Sequence, residues 1–206
     1  MLVRFSNHRR IGGFDIAILL QDRTNQEMLF EKTANALHLI QTYAPKRFRW
    51  AQAHLQCIWI FGCHADLARY TSSLRLCDVS RHYALAQTTT SAHLAMTLVH
   101  EATHGYLLNA RGFPYAEARR RQIERICVRS EIAFTRRLPD SADLVAQGRK
   151  ALERESGFWT DENLVQRDLQ TLEAFGWPRW LTRWLQRRRN RKLREIDRPE
   201  QDTTNR

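Results

Sequence analysis

Three residues in this chain have the types and spacing to do chemistry together. They are His100, Glu101 and His104, in the stretch Leu98-Val99-His100-Glu101-Ala102-Thr103-His104-Gly105. On a helix, side chains four apart lie one above the other, so both imidazoles can reach a single cation. Glu101 is turned about 100° from His100, which sets its carboxylate beside that cation rather than on it. A water held on Zn²⁺ there would have its pKa lowered toward ~7, and a neighbouring carboxylate could take its proton as the water attacks a carbonyl. The competing reading is a surface helix whose two histidines bind nothing. With eight His and twelve Glu in 206 residues, a shuffled chain would carry roughly 0.02 copies of H-E-x-x-H.

The chemistry requires a helix under these residues, and the flanks supply one. Thr88-Thr89-Thr90-Ser91 offers N-cap candidates. No Pro or Gly interrupts the run before Gly105, and Leu94, Ala95, Leu98, Ala102 and Tyr106 form an apolar face opposite the histidines. Arg111-Gly112-Phe113-Pro114 supplies a stop.

A catalytic zinc needs three protein ligands plus water. A third His in H-E-x-x-H-x-x-G-x-x-H is excluded, because Ala110 holds that position and Leu107 replaces the Gly. The alternative is a Glu on the next helix, predicted from about Tyr115 to Leu138 and ended by Pro139. Glu124, Cys127, Glu131, Phe134 and Leu138 follow one another at steps of three and four, so two acids share a stripe with core residues. A carboxylate on a buried stripe needs a partner, and zinc would be one. Glu124 is the expected ligand; Glu131 is the alternate ligand or the acceptor that orients a ligand His. Glu117, at the start of the helix, is the weakest of the three. Tyr83, His93, Tyr106 and Tyr115 flank the motif as candidate oxyanion donors, although a structural role suits each of them too.

His100-Glu101-x-x-His104 followed by a helical Glu124 resembles the gluzincin branch of zinc metallopeptidases. The stretch from Glu124 to Phe134, with Leu138-Pro139 after it, is loosely similar to the corresponding helix of ImmA/IrrE-like peptidases. The resemblance covers roughly residues 72–139. It implies a small zincin-like sheet, an edge strand that pairs with extended peptide, an active-site helix and a glutamate helix. Carried over by position, His100, His104 and Glu124 would bind Zn²⁺ and Glu101 would be the base. Val128 stands where many gluzincins have an acid that braces a ligand His, and no His follows His104 to serve the transition state.

The remaining elements are read from periodicity. Ile11 to Leu20 reads as a strand weakened by two glycines, after a loose polar start at residues 1–10. A helix follows from Asn25 to Tyr43, closed by Pro45. His54–Phe61, Leu74–Val79 and Tyr83–Gln87 read as strands, and the sheet edge near residues 74–87 is where extended substrate would align. Two further helices span 141–155 and 160–175. Trp177, Trp180, Leu181, Trp184 and Leu185 make one stripe of a last helix, and such a stripe usually docks on a core. The expectation is an α+β domain over residues 1–140, a helical extension over 141–192 packed on it, and a disordered basic tail over 193–206.

Composition narrows the function classes. An apolar content of 43% supports one domain with a real core. The longest apolar run, Cys57 to Cys63, is too short to span a bilayer, and no signal peptide is expected. Cys57, Cys63, Cys77 and Cys127 lack C-x-x-C spacing. They read as buried reduced thiols of a cytoplasmic protein, outside any metal site. The net charge of +11 comes from 29 Arg and 4 Lys, and it permits non-specific polyanion binding.

The expected activity is therefore zinc-dependent hydrolysis of a peptide or protein substrate. One rival is a nucleic-acid-associated protein with a structural zinc, using its arginines and tryptophans. The other is an inactive zincin acting as an interaction module.

Overall fold

The computed structural model describes residues 7–20, 22–62, 66–154, 156–174, 176–184 and 187. Gly12 and Gly13, which as sequence weaken a strand over 11–20, are in fact its turn. Both have positive φ, +59° and +91°, as a two-residue hairpin loop requires. They join β1 (Asn7–Ile11) to β2 (Phe14–Ile18), which pair antiparallel from Ile11↔Phe14 outward. Residues 7–10, expected to be loose, are thus an edge strand, exposed along its length and carrying Arg9 and Arg10, charges that discourage further pairing.

Helix α1 (Arg23–Tyr43) is capped by Asp22, whose carboxylate accepts from the Thr24 N–H at 2.9 Å. It buries Leu29, Phe30, Thr33, Ala36, Leu37 and Ile40 along one stripe. Pro45 ends α1 and also opens α2 (Pro45–His54), a helix not expected from the sequence. A proline at the first helical position loses no hydrogen bond there.

The sheet continues through β3 (Cys57–Gly62), β4 (Ala68–Thr71) and β5 (Leu76–Ser80) in the order β1-β2-β3-β5-β4. β2, β3 and β5 run parallel, while β1 and β4 are antiparallel edges. Ile58 and Ile60 of β3 are fully buried whereas Phe61 is 42% exposed, so one sheet face meets the helices and the other stays partly open.

Two sequence expectations are corrected here. Tyr83–Gln87 is not a strand: Arg81–Leu85 forms the short helix α3, an ambiguity inherent in short apolar runs. The edge strand near the centre of interest is therefore Ala68–Thr71, with Leu76–Ser80 interior to it.

Helix α4 (Ser91–Gly105) runs through the middle of the molecule and packs on α1, α2, β4 and α5 (Glu117–Thr135). α5 ends three residues before the expected Leu138. Next come α6 (Ala142–Leu152), a 3₁₀ turn over Ser156–Trp159, α7 (Asp161–Ala174) and a helical stretch at 179–184. The Trp stripe does not dock on the core: Trp177, Trp180 and Trp184 are 45%, 69% and 48% exposed. Thr182 is the residue of that stretch that turns inward; Leu185 and the basic tail lie outside the described residues. The fold is α+β, and no helix among the described residues is long and apolar enough to cross a membrane.

Candidate metal centre

The placement of the donors begins with α4. Thr90 is its N-cap, and Thr90 and His93 bond reciprocally in a capping box. That assigns His93 to the helix start. Leu94, Ala95, Leu98 and Ala102 are buried in the main core, which fixes the rotation of the helix and turns His100 and His104 the other way. Gly105 has a separate purpose. A Cβ there would stand 2.8 Å from His54 Cβ and 3.2 Å from Tyr70 Cζ, so α2 and β4 approach α4 only because the side chain is missing. Beyond it the helix widens into a π turn over Tyr106–Ala110.

α5 lies against the histidine face. Thr103 Oγ1 donates to Ser130 Oγ at 3.0 Å, and Arg47 Nε donates to the same hydroxyl at 3.1 Å. This sets the register between the two helices. His100 Nε2 and His104 Nε2 are 3.0 Å apart, and the Glu124 carboxylate lies 3.2 Å from the first and 3.4 Å from the second. Donors bound at about 2.0–2.1 Å to one tetrahedral ion stand roughly 3.3–3.4 Å from each other, so these three groups fit around a divalent cation.

The other ring nitrogen of His100, Nδ1, donates to Glu131. Two acids seven residues apart thus meet the two nitrogens of one imidazole. Glu124 reaches the convergence point and Glu131 the far side of the ring, where Val128, buried and apolar, cannot serve. Tyr115 donates its hydroxyl to Glu124 Oε1 at 2.5 Å and sets its ring edge-on to His104, centroids 5.4 Å apart.

The electrostatics follow from that crowding. Burial opposes charge on both imidazoles, but Glu131, Cys127 and Glu124 outweigh it, holding His100 well above the ordinary histidine range. His104 rises to about 10, with Cys127 and Glu124 overriding burial. Burial works against ionised Glu124, yet the two imidazoles hold it far below the usual carboxylate range. A proton on the imidazoles and a cation between them are alternative ways to balance the same acids. Burial, then Glu124, pushes the Tyr115 phenol upward, so it remains a donor.

The centre opens into a cavity of about 630 Å³. Glu101, 5% exposed, lines it, and burial pushes its carboxyl up despite the two histidines. β4 forms part of the wall. Ser80 N–H donates to Leu67 O, and hydrogen-bonded pairs alternate along an antiparallel ladder. The backbone N–H and C=O groups of Ala68 and Tyr70 therefore face the free edge.

Of the four candidate oxyanion donors, Tyr115 alone lines the cavity among the described residues. Tyr83 bonds to Thr97 Oγ1 at 2.9 Å, and burial raises its phenol to about 12. Tyr106 stacks on Trp50 at 4.5 Å. Glu117's side chain and Cys63 lie outside the described residues.

The cysteines are expected to lie outside any metal site, and Cys57, Cys77 and Cys127 are free thiols, with Cys127 close to the two histidines. His100, His104 and Cys127 each bring a ligand atom within 4.8 Å of the others. Its position on the Glu124–Glu131 stripe was the signal; the lack of C-x-x-C spacing masked it. Comparison of the chain with protein-family models, with curated proteins and with solved structures gives no match.

Proposed function

We propose that this chain hydrolyses peptide bonds as a gluzincin-type enzyme, with Zn²⁺ held by His100, His104 and Glu124. The observation that carries the reading is the convergence of these donors in a cavity that Glu101 also lines. When bound, zinc would lower the pKa of a coordinated water toward ~7 and polarise the scissile carbonyl.

The chain's own residues account for the rest. Glu101 is the general base that takes the water's proton and returns it to the leaving amine; its upward shift by burial suits both halves of that transfer. Glu131 holds His100 in one tautomer and one ring orientation. Tyr115, kept protonated, lines the cavity and would donate to the oxyanion that develops by turning its one hydroxyl proton away from Glu124. The free edge of β4 offers Ala68 and Tyr70 backbone groups to an extended substrate.

The second reading rests on Cys127. A His₂-Glu-Cys set would close the coordination sphere, as structural zinc sites do, and the arginine-rich surface would then serve nucleic-acid binding without hydrolysis. Peptide turnover by the zinc-loaded wild type separates the two, and Glu101→Gln then tests the base. Under the hydrolytic reading the zinc-loaded variant keeps its metal and loses peptide turnover by ~10²–10⁴. Wild-type-like turnover in this variant would remove Glu101 as the base.

A further inference from the structure

The cavity wall that carries no metal donors has its own chemistry. Arg167 on α7 stands 4.0 Å above the Phe158 ring centroid, and Arg154, after α6, stands 4.6 Å from the same centroid. All three line the cavity. One aromatic ring thus holds two guanidinium groups by cation–π contact, an arrangement of like charges that needs an anion nearby.

Among the described residues, the acids of this wall meet that need only in part. Arg69 engages both aspartates of this wall, Asp66 at 2.8 Å and Asp168 at 3.0 Å. Asp66 then reaches Arg167 Nη1 only at 3.6 Å, beyond hydrogen-bonding distance. Nε and Nη2 of Arg167 are buried donors with no acceptor, and an orphaned donor on a charged group is costly. The side chain retains 25% exposure and lines the cavity, so a rotation that turned the guanidinium edge to the cavity would give these donors an acceptor. A carboxylate matches that edge bidentately.

We propose that Arg154, Phe158 and Arg167 form a carboxylate-binding subsite that selects peptides carrying an acidic group close to the bond held over Glu101. This inference rests on the hydrolytic reading for the word "substrate", but the binding it describes is measurable without turnover. The chain's net charge of +11 draws such ligands from a distance, while the subsite discriminates among them at contact. The carboxylate has two sources, an Asp or Glu side chain or the peptide's own C-terminus, and the probes separate them.

The test uses the zinc-loaded full-length Glu101→Gln protein and three heptapeptides bearing a neutral N-terminal dye. The first is an alanine peptide with a central Glu and an amidated C-terminus. The second has Gln in place of Glu, and the third is the Gln peptide with a free C-terminal carboxylate. Fluorescence anisotropy should give at least one carboxylate peptide a Kd about tenfold or more below that of the Gln amide, and whichever it is names the source.

Arg167→Met should bring that ratio close to one, and Arg167→Glu should shift preference to a central-Lys peptide. Should a change at Arg167 prevent folding, the exposed Arg154→Met carries the same expectation. Arg183→Met, which removes an equal charge outside the cavity, should leave the ratio intact. Equal affinities in the parent protein, a ratio that survives Arg167→Met with Arg154→Met, or a ratio lost equally in Arg183→Met would each overturn the subsite. Carboxylate selectivity without wild-type cleavage of the same peptides would leave the subsite standing and remove the peptidase reading. Cleavage without selectivity would do the reverse.

Discussion

The two sides of the cavity are built by different forces. The donor side, α4 against α5, is backed by the apolar core: Leu94 and Ala95 are 0% exposed, as is Phe134 of α5. The wall contributed by β4, α6 and α7 gives that core cluster little beyond Ala68 and Leu144. Beyond the packing of α6 on α5, it is tied in by arginines. Arg69 ties β4 to Asp168 of α7, Arg120 donates to Trp159 O at 3.0 Å, and Arg125 donates to Leu152 O at 3.3 Å. Close packing is stiff and costly to disturb, whereas a partly exposed ion pair such as Arg69–Asp168 contributes about 0–1 kcal/mol and is screened by salt. The difference matches the division of labour proposed above. Metal ligands tolerate little displacement, while a wall that receives varied peptides gains from being adjustable.

That contrast can be broken first at the metal. A stiff donor side has no substitute for a lost imidazole, so His100→Ala or His104→Ala should abolish the expected one zinc per chain, read by metal analysis after dialysis. Full occupancy in the double variant would remove the centre altogether.

Chelator competition then sharpens the roles along α5. Glu131→Ala, which loses only the brace on His100 Nδ1, should weaken zinc binding roughly 10–100-fold. Glu124→Ala should weaken it more than that, and Cys127→Ser should leave it near the wild type. Were Cys127→Ser to empty the site, the sphere is closed and the structural-zinc reading prevails.

The next effect lies at the seam between the two sides. A Cβ on Gly148 of α6 would stand 2.6 Å from Ile132 Cγ1 of α5, and a β-branched side chain cannot easily move aside. Overpacking costs about 1–3 kcal/mol, offset by about 1 kcal/mol of better helix propensity. Gly148→Ala should therefore lower stability by up to about 2 kcal/mol in denaturant melts, and an unchanged midpoint would mean that α6 adjusts freely. The smallest effect belongs to the arginine-held wall. Asp168→Asn should cost at most about 1 kcal/mol, and the loss should shrink in high salt; a larger, salt-independent loss would place that wall with the core.

The local chain determined what depends on periodicity and on backbone chemistry. H-E-x-x-H on one helix face, the Glu124–Cys127–Glu131 stripe and the apolar run of β3 are all set by residues within a turn or two of each other, so they were legible. Shorter elements were not: α2, of ten residues, and β4 and α3, of four and five, owe their state to what they pack against. Tertiary structure alone decided which α5 acid meets which imidazole nitrogen, because that depends on the α4–α5 register set by Thr103, Ser130 and Arg47. It also decided that Cys127 joins the histidines and that Arg154, Phe158 and Arg167 face the same cavity from separate elements. Long-range packing places such groups together, and of them only Cys127, on the Glu124–Glu131 stripe, leaves a trace in the spacing along the chain.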